Sequence, residues 1–204
     1  MIKVQGKLPR SLFLACSGGI DSMSALDFLS RNHTINLAFF DHGTSTSTEA
    51  REFVTKMCSK YNCNFTYGKI SRDRKQRESQ EEYWRNERYA FFNSLPGTVV
   101  TGHHLDDCVE TWLWSSMNGT GKIIPYENKN VVRPFRLNKK KDLKLWCELK
   151  NVPFLEDKTN KDTTFTRNYI RHKLMPHALK VNPGLHKVIK KKVINDERTT
   201  NSDI

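Results

Sequence analysis

Apolar residues along this chain come in short unbroken runs, with longer stretches at helical spacing between them. "SLFLAC" (11–16), "INLAFF" (35–40) and "NFTYGKI" (64–70) read as buried strands, "PGTVVT" as a turn and a short strand, and "VVRPF" (131–135) as a fifth strand. Runs without polar alternation suit central strands covered on both faces. "DSMSALDFLSR" (21–31) sets Met23, Ala25, Leu26 and Leu29 for a first helix. Thr46 with Glu49 and Ser79 with Glu82 have the spacing of capping boxes, opening helices that run to Tyr61 and Leu95. "LDDCVETWLWSSM" (105–117) predicts a fourth helix, which "NGTGK" ends. Beyond Pro134 the pattern loosens into short basic helices near 140–150, 165–175 and 184–193, and the last ten residues are expected to fray.

Strands alternating with helices imply an α/β fold, a doubly wound parallel five-stranded sheet with helices on both faces. A basic, mostly helical extension follows, dividing the chain into 1–136 and 137–204. A length of 204 residues suits one domain of ordinary size with a small appendage.

Composition narrows the class. No apolar run approaches the ~20 residues of a membrane span, and "SLFLAC" is too short for a signal peptide. A soluble cytoplasmic protein with no membrane partner is the expectation. The cysteines (Cys16, Cys58, Cys63, Cys108, Cys147) form no CxxC pair and no metal-ligand spacing, and read as buried free thiols. Charge is lopsided: residues 1–121 hold 14 basic and 13 acidic side chains, and residues 122–192 hold 19 and 6. A basic half of this kind points to a polyanion, nucleic acid first, against the plain alternative of a solvated surface.

The candidate chemistry starts at "LACSGGIDSMSA" (14–25), where Gly18 and Gly19 lie between Ser17 and Ser22 at a strand-to-helix junction. Ligands of doubly wound sheets bind at the carboxyl ends of strands. A helix N-terminus there offers unpaired N–H groups and partial positive charge to an anion. The glycines let backbone approach a ligand, and the two serines can donate hydroxyl hydrogen bonds. Asp21 fits beside a phosphate only through a bridging cation, which suggests Mg²⁺. A tight turn with Asp21 or Ser22 as helix cap is the plain alternative.

The string S-G-G-I-D-S (17–22) resembles the PP-loop of the N-type ATP pyrophosphatases, which cleave ATP between the α- and β-phosphates and transfer AMP. It is not the Walker loop, which the sequence lacks. Three further stretches resemble the tRNA(Ile)-lysidine synthetase family. "TGHHLDDCVET" (101–111) is similar to its H-H-x-x-D-x-x-E-T signature through His103, His104, Asp107, Glu110 and Thr111. "EEYWRNERYAFF" (81–92) is similar to its E-x-x-x-R-x-x-R-Y helix through Glu81, Arg85, Arg88 and Tyr89. "RPF" (133–135) and then "FLEDKTNKDTTFTRNYIRHKLMP" (154–176) resemble its closing block, through Asp157, Thr159, Asn160, Arg167, Asn168 and Arg171. One departure is "DHGTSTS" (41–47), where Thr44 and Ser45 follow His42 and Gly43 in place of the family's L-R.

The resemblance implies a PP-loop fold and a ligase that adenylates the wobble cytidine of a CAU-anticodon tRNA. The ε-amine of L-lysine then attacks, giving lysidine, AMP and pyrophosphate, with ATP and Mg²⁺ required. It also implies a compact form without the C-terminal domains that many members carry. On this resemblance Ala15, Ser17, Gly18, Gly19, Ile20, Asp21, Ser22, His42 and His103 are expected at ATP, with Asp21 also at Mg²⁺. Asp21, Asp107, Glu110 and Arg85 are expected to be catalytic. Arg88, Arg133, Lys139, Lys140, Lys141, Arg167, Asn168 and Arg171 are expected at the tRNA.

Spacing supports part of this. Asp107 and Glu110 stand at i and i+3, so both can face one cleft and orient a lysine ammonium, whose ordinary pKa is about 10.4. Acids that merely favour the helix dipole are the plain alternative. His103 and His104 are neighbours and cannot both point the same way. Arg136 adds to the cluster of Arg133 and Lys139–Lys141, and Lys190, Lys191 and Lys192 make another; phosphate contact and plain solubility stay open for each. A homodimer also stays open. Rival functions are a cytidine thiolase, which would want cysteine pairs, and a non-catalytic RNA-binding module, which would not need intact motifs. A small-molecule amide synthetase leaves the basic half unexplained.

Overall fold

A computed structural model describes residues 2–156 and 162–201. Its strands are β1 (Ser11–Ala15), β2 (Thr34–Asp41), β3 (Asn64–Lys69), β4 (Val99–Val100), β5 (Glu127–Asn128) and β6 (Val131–Val132). They form one sheet in the order β3-β2-β1-β4-β6-β5. The five expected strands are all there and all parallel. The sixth, β5, is an antiparallel edge on β6, and its two polar residues gave no apolar signal in the sequence.

The helices are α1 (Ile20–Leu29), α2 (Ser47–Lys60), α3 (Gln80–Ser94), α4 (Leu105–Met117), α5 (Lys140–Lys150), α6 (Thr166–Tyr169), α7 (Met175–Val181) and α8 (Leu185–Asn201). A π-helical turn, Ile170–Leu174, joins α6 to α7. Successive strand side chains alternate between faces. Leu12 and Leu14 of β1 thus join a core with Met23 and Leu26 of α1, Val54 of α2 and Leu143 of α5. Phe13 and Ala15 face a second core containing Phe92 of α3. A third cluster joins α4 to the C-terminal helices through Leu105, Val109, Met175 and Ile189. The segment after 136 therefore packs onto α4 through apolar side chains.

Some local expectations shift. Ser79 caps α3 as predicted, accepting from the Glu82 N–H at 3.1 Å. Thr46 does not cap α2; the Ser47 hydroxyl takes the Thr44 N–H at 3.1 Å instead. The last helix runs to Asn201, beyond the expected stop near 193. Arg136 donates to Asp196 Oδ2 at 3.0 Å, which anchors α8 where fraying was expected. All five cysteines are free, four of them buried. Among the described residues, no helix is long and apolar enough to cross a membrane. Asp157, Thr159 and Asn160 of the closing block lie outside the described residues.

Candidate active site

The parallel strands send the turns after β1, β2 and β4 to one edge of the sheet, and the strand order reverses between β1 and β4, where such folds bind ligands. A cleft of about 350 Å³ opens there. Ala15, Ser17, Asp21, Ser22, His42 and His103, all expected at ATP, line it.

The turn after β1 requires its first glycine. Gly18 has φ +82, and a Cβ there would stand 3.0 Å from Phe53 and 3.3 Å from Leu155. Its carbonyl accepts the Leu155 N–H at 2.9 Å, so the 154–155 stretch braces the loop from outside. Gly19 starts α1 without a side-chain cap, leaving first-turn N–H groups for an anion. Ser17 is exposed and keeps its hydroxyl proton to donate. Ser22 is buried at the cleft and donates its hydroxyl to the Gly19 carbonyl at 2.9 Å, which closes the turn. Ile20 packs its side chain on the core beside the turn.

Glycine also matters opposite. A Cβ on Gly102 would stand 3.0 Å from the Asp21 carbonyl, so glycine lets the exit of β4 lie against the first turn of α1 without displacing that backbone. The adjacent histidines then divide. His104 is buried as the cap of α4: its N–H donates to Asp107 Oδ2 at 2.8 Å and its Nδ1 accepts the Asp107 N–H at 3.4 Å. Its Nε2 lies 3.5 Å from Asp21 Oδ1. Burial disfavours its charge, but Asp107, Asp21 and Asp106 together raise it above the ordinary histidine value. His103 faces the cleft, its Nδ1 2.7 Å from Thr101 Oγ1. Burial, aided by nearby arginines, holds it well below the ordinary value, so it is a neutral imidazole. His42 is neutral too, pushed down to about 4 by burial and then by Arg88.

The acidic pair is not open as expected. Arg167 donates to Asp107 Oδ1 at 2.6 Å and to Glu110 Oε2 at 3.2 Å. Arg171, one helical turn on, donates to Glu110 at 2.6 and 3.1 Å and to Asp107 at 3.1 Å. Burial would raise the Asp107 carboxyl, but His104 and Arg167, then Arg171, hold it far below the usual range. Asp107 lines the cleft, whereas Glu110 is 3% exposed beneath the arginines. Arg167 and Arg171, expected at the tRNA, direct their guanidinium groups to these acids, and Asn168 lines the cleft beside them.

The other expected cations separate. Arg88 is half-buried in the cleft wall, and burial pulls it down to about 10. Arg85 is exposed on α3, over the Tyr89 ring at 4.9 Å, and does not line the cleft. Arg133 is no surface cation: it is 1% exposed and donates to the Pro125 carbonyl at 3.0 Å and the Tyr89 hydroxyl at 2.9 Å. Arg136 is likewise buried. Lys140 approaches the PP-loop, with Nζ 4.0 Å from Asp21 Oδ2, while Lys139 is half-buried and Lys141 exposed.

Two features escaped the sequence reading. Phe40, His42, Trp84 and Phe165 form a chain of rings with centroids 5.0, 5.6 and 6.1 Å apart. Trp84 inside the E-x-x-x-R helix and Phe165 just before Arg167 were its only signal. Asp106, outside the signature, accepts the Lys140 N–H at 2.7 Å and lies 3.1 Å from His186 Nε2, tying α5 and α8 to the cap of α4.

Comparison with known proteins agrees with this fold. The model of the PP-loop domain matches residues 2–178. The chain is similar to the tRNA(Ile)-lysidine synthases of Thermosipho africanus (32% identity, 90% of this chain and 47% of the relative) and Persephonella marina (33%, 85% and 42%). It thus spans a little under half the length of these relatives. The NH3-dependent NAD synthetase of Campylobacter jejuni shares the fold, with TM-score 0.52 at 14% identity over 94% of this chain and 87% of that one. Because the domain match takes in every residue that lines the cleft, the chain belongs to the PP-loop domain family.

Proposed function

We propose that the chain is an AMP-forming tRNA ligase of the lysidine synthetase type. It would join L-lysine to the wobble cytidine of a CAU-anticodon tRNA at the expense of ATP. The observation that carries this reading is one cleft with the uncapped start of α1 on one wall and Asp107 with His103 on the other. An anion site and a cation site so close suit a reaction that must gather a nucleotide, a base and an amine.

In this reading Ser17 and the free N–H groups of α1 hold the phosphate end of ATP. Among the described residues, no three histidines, cysteines or acids gather as a metal cage. Asp21 is the lone carboxylate of the turn, which fits a Mg²⁺ held mainly by phosphate oxygens and water. Such an ion would offset charge on the departing phosphates. Asp107 orients the incoming ammonium, once Arg167 and Arg171 share it, and neutral His103 can accept a hydrogen bond at the same wall. Glu110 keeps Arg171 in place. The rings of His42, Trp84 and Phe165 offer a stacking surface to a base. Arg85, exposed outside the cleft, acts on RNA and not at the reacting atoms. Residues 1–136 carry the chemistry, and 137–204 close the cleft and present cations.

A sulfur-transfer reading lacks support: Cys16 lines the cleft without a second cysteine among the described lining residues, and burial pushes its thiol up. The deciding experiment is mass spectrometry of nucleosides from a CAU-anticodon tRNA incubated with enzyme, ATP, Mg²⁺ and lysine. Lysidine with stoichiometric AMP is expected. A thiolated cytidine, or ADP as product, overturns the reading.

A further inference from the structure

The loop between β3 and α3 is the least explained charged surface near the cleft. It begins beside the cleft wall, where the Ile70 N–H donates to the Asp41 carbonyl at 3.2 Å, next to His42. Its base is braced. Arg72 donates to both oxygens of Glu78 at 2.8 Å and pairs with Glu87 at 3.0 Å. Glu87, buried on α3, also accepts the Ser71 N–H and hydroxyl, each at 2.8 Å. The Tyr83 hydroxyl donates to the Arg72 carbonyl.

That brace uses Glu78, so the exposed tip carries Arg74, Lys75 and Arg77 against Asp73 alone. No side-chain partner among the described residues takes these three cations. The tip is a turn closed by the Glu78 N–H on the Lys75 carbonyl at 3.1 Å, with Arg77 third at φ 74. Glycine or asparagine holds that left-handed backbone at less cost. The turn keeps a long cation where the backbone alone asks for none.

We propose that Arg74, Lys75 and Arg77 form a pre-braced phosphate-binding rim that holds the RNA backbone on the β3 side of the cleft. The proposal rests on the RNA reading above and adds a contact surface to it. On the β4 side, α5 opens with Lys140 and Lys141, its backbone bonded to Asp106 after β4. β3 and β4 lie three strand spacings apart in the sheet, roughly 14 Å, so one strand of RNA crossing the mouth meets cations on both sides. Bracing the loop before RNA arrives lowers the ordering cost of the contact.

The test is binding of an unmodified CAU-anticodon tRNA transcript by the triple variant Arg74→Gln, Lys75→Gln, Arg77→Gln, with salt raised from about 50 to 200 mM. The expected result is a log–log salt slope flatter by about two and an affinity at least about fivefold weaker at the low-salt end. ATP binding and the thermal midpoint should match wild type, and Arg74→Lys with Arg77→Lys should restore the slope. A triple variant with wild-type slope and affinity overturns the rim while leaving the RNA reading intact. A wild-type protein that does not bind the transcript overturns the RNA reading itself, and the rim with it.

Discussion

Arg171 and Glu110 meet with Nε 2.6 Å from Oε1, although 61 residues separate them in the chain. The bond fastens the helical segment from α6 to α7 onto α4, directly beneath the cleft. Removing one partner of a buried pair costs about 3–5 kcal/mol, because the other charge is left without compensation. Arg171 keeps some solvent, so Arg171→Ala should lower unfolding stability by about 2–3 kcal/mol. Urea denaturation measures this, and a double-mutant cycle with Glu110→Gln should give a coupling of at least about 1 kcal/mol. Additive effects would mean the pair contributes little.

Asp107 faces the cleft and Glu110 does not, so their neutral variants should differ. Asp107→Asn should weaken lysine dependence in single-turnover lysidine formation with saturating ATP. Glu110→Gln should act mainly through loosened arginines, lowering stability along with rate. Wild-type rates and lysine dependence in both variants would remove these carboxylates from the lysine site.

The two glycines of the ATP wall have different tolerances. Gly102→Ala sets a methyl against the Asp21 carbonyl, a backbone atom that cannot swing away. Gly18→Ala meets side chains but also demands left-handed backbone, which costs about 1–2 kcal/mol for a residue with Cβ. Both should weaken ATP binding in calorimetry, and Ser17→Ala and Asp21→Ala should slow AMP formation. Unaltered ATP affinity in all four would place the nucleotide elsewhere.

His42 sets a pH dependence. Its folded value of about 4 lies below the ordinary 6.5, so between these the unfolded chain binds more protons. Stability from this group falls as pH drops from 6.5 toward 4. Asp107, depressed by its cationic neighbours, adds stability above the ordinary carboxylate value that is lost as pH falls further. His104, raised, acts in the opposite direction: its contribution is present at low pH and lost as pH rises through its folded value. Replacing His42 with glutamine should flatten the slope between pH 6.5 and 4 by up to about one proton. An unchanged slope in denaturant titrations would assign the dependence to other groups.

Lys139, Lys140 and Lys141 should contribute less to RNA binding than three free cations, because Lys140 lies 4.0 Å from Asp21 and Lys139 is half-buried. Their combined replacement by glutamine should reduce the salt slope of tRNA binding by about one to two. An unchanged slope assigns them to solubility.

The five parallel strands, the turn after β1 and the helices up to α4 were legible in the sequence because each signal is local. Apolar runs report burial on both faces, glycines report a close backbone approach, and Ser79 with Glu82 reports a helix start. The motifs also located the cleft, since a parallel sheet must deliver the turns after β1, β2 and β4 to one edge. The sequence by itself therefore determined the fold class and the place of the cleft. The tertiary structure alone decided what each charge does there. Arg133, Arg167 and Arg171 look alike as basic residues in a basic half, yet one is buried on Tyr89 and two lie on Asp107 and Glu110. His103 and His104 are indistinguishable as neighbours, yet capping α4 turns His104 inward and leaves His103 to the cleft. An ion pair depends on a distance between residues dozens of positions apart, and that distance is fixed only when α6 and the segment after it pack onto α4.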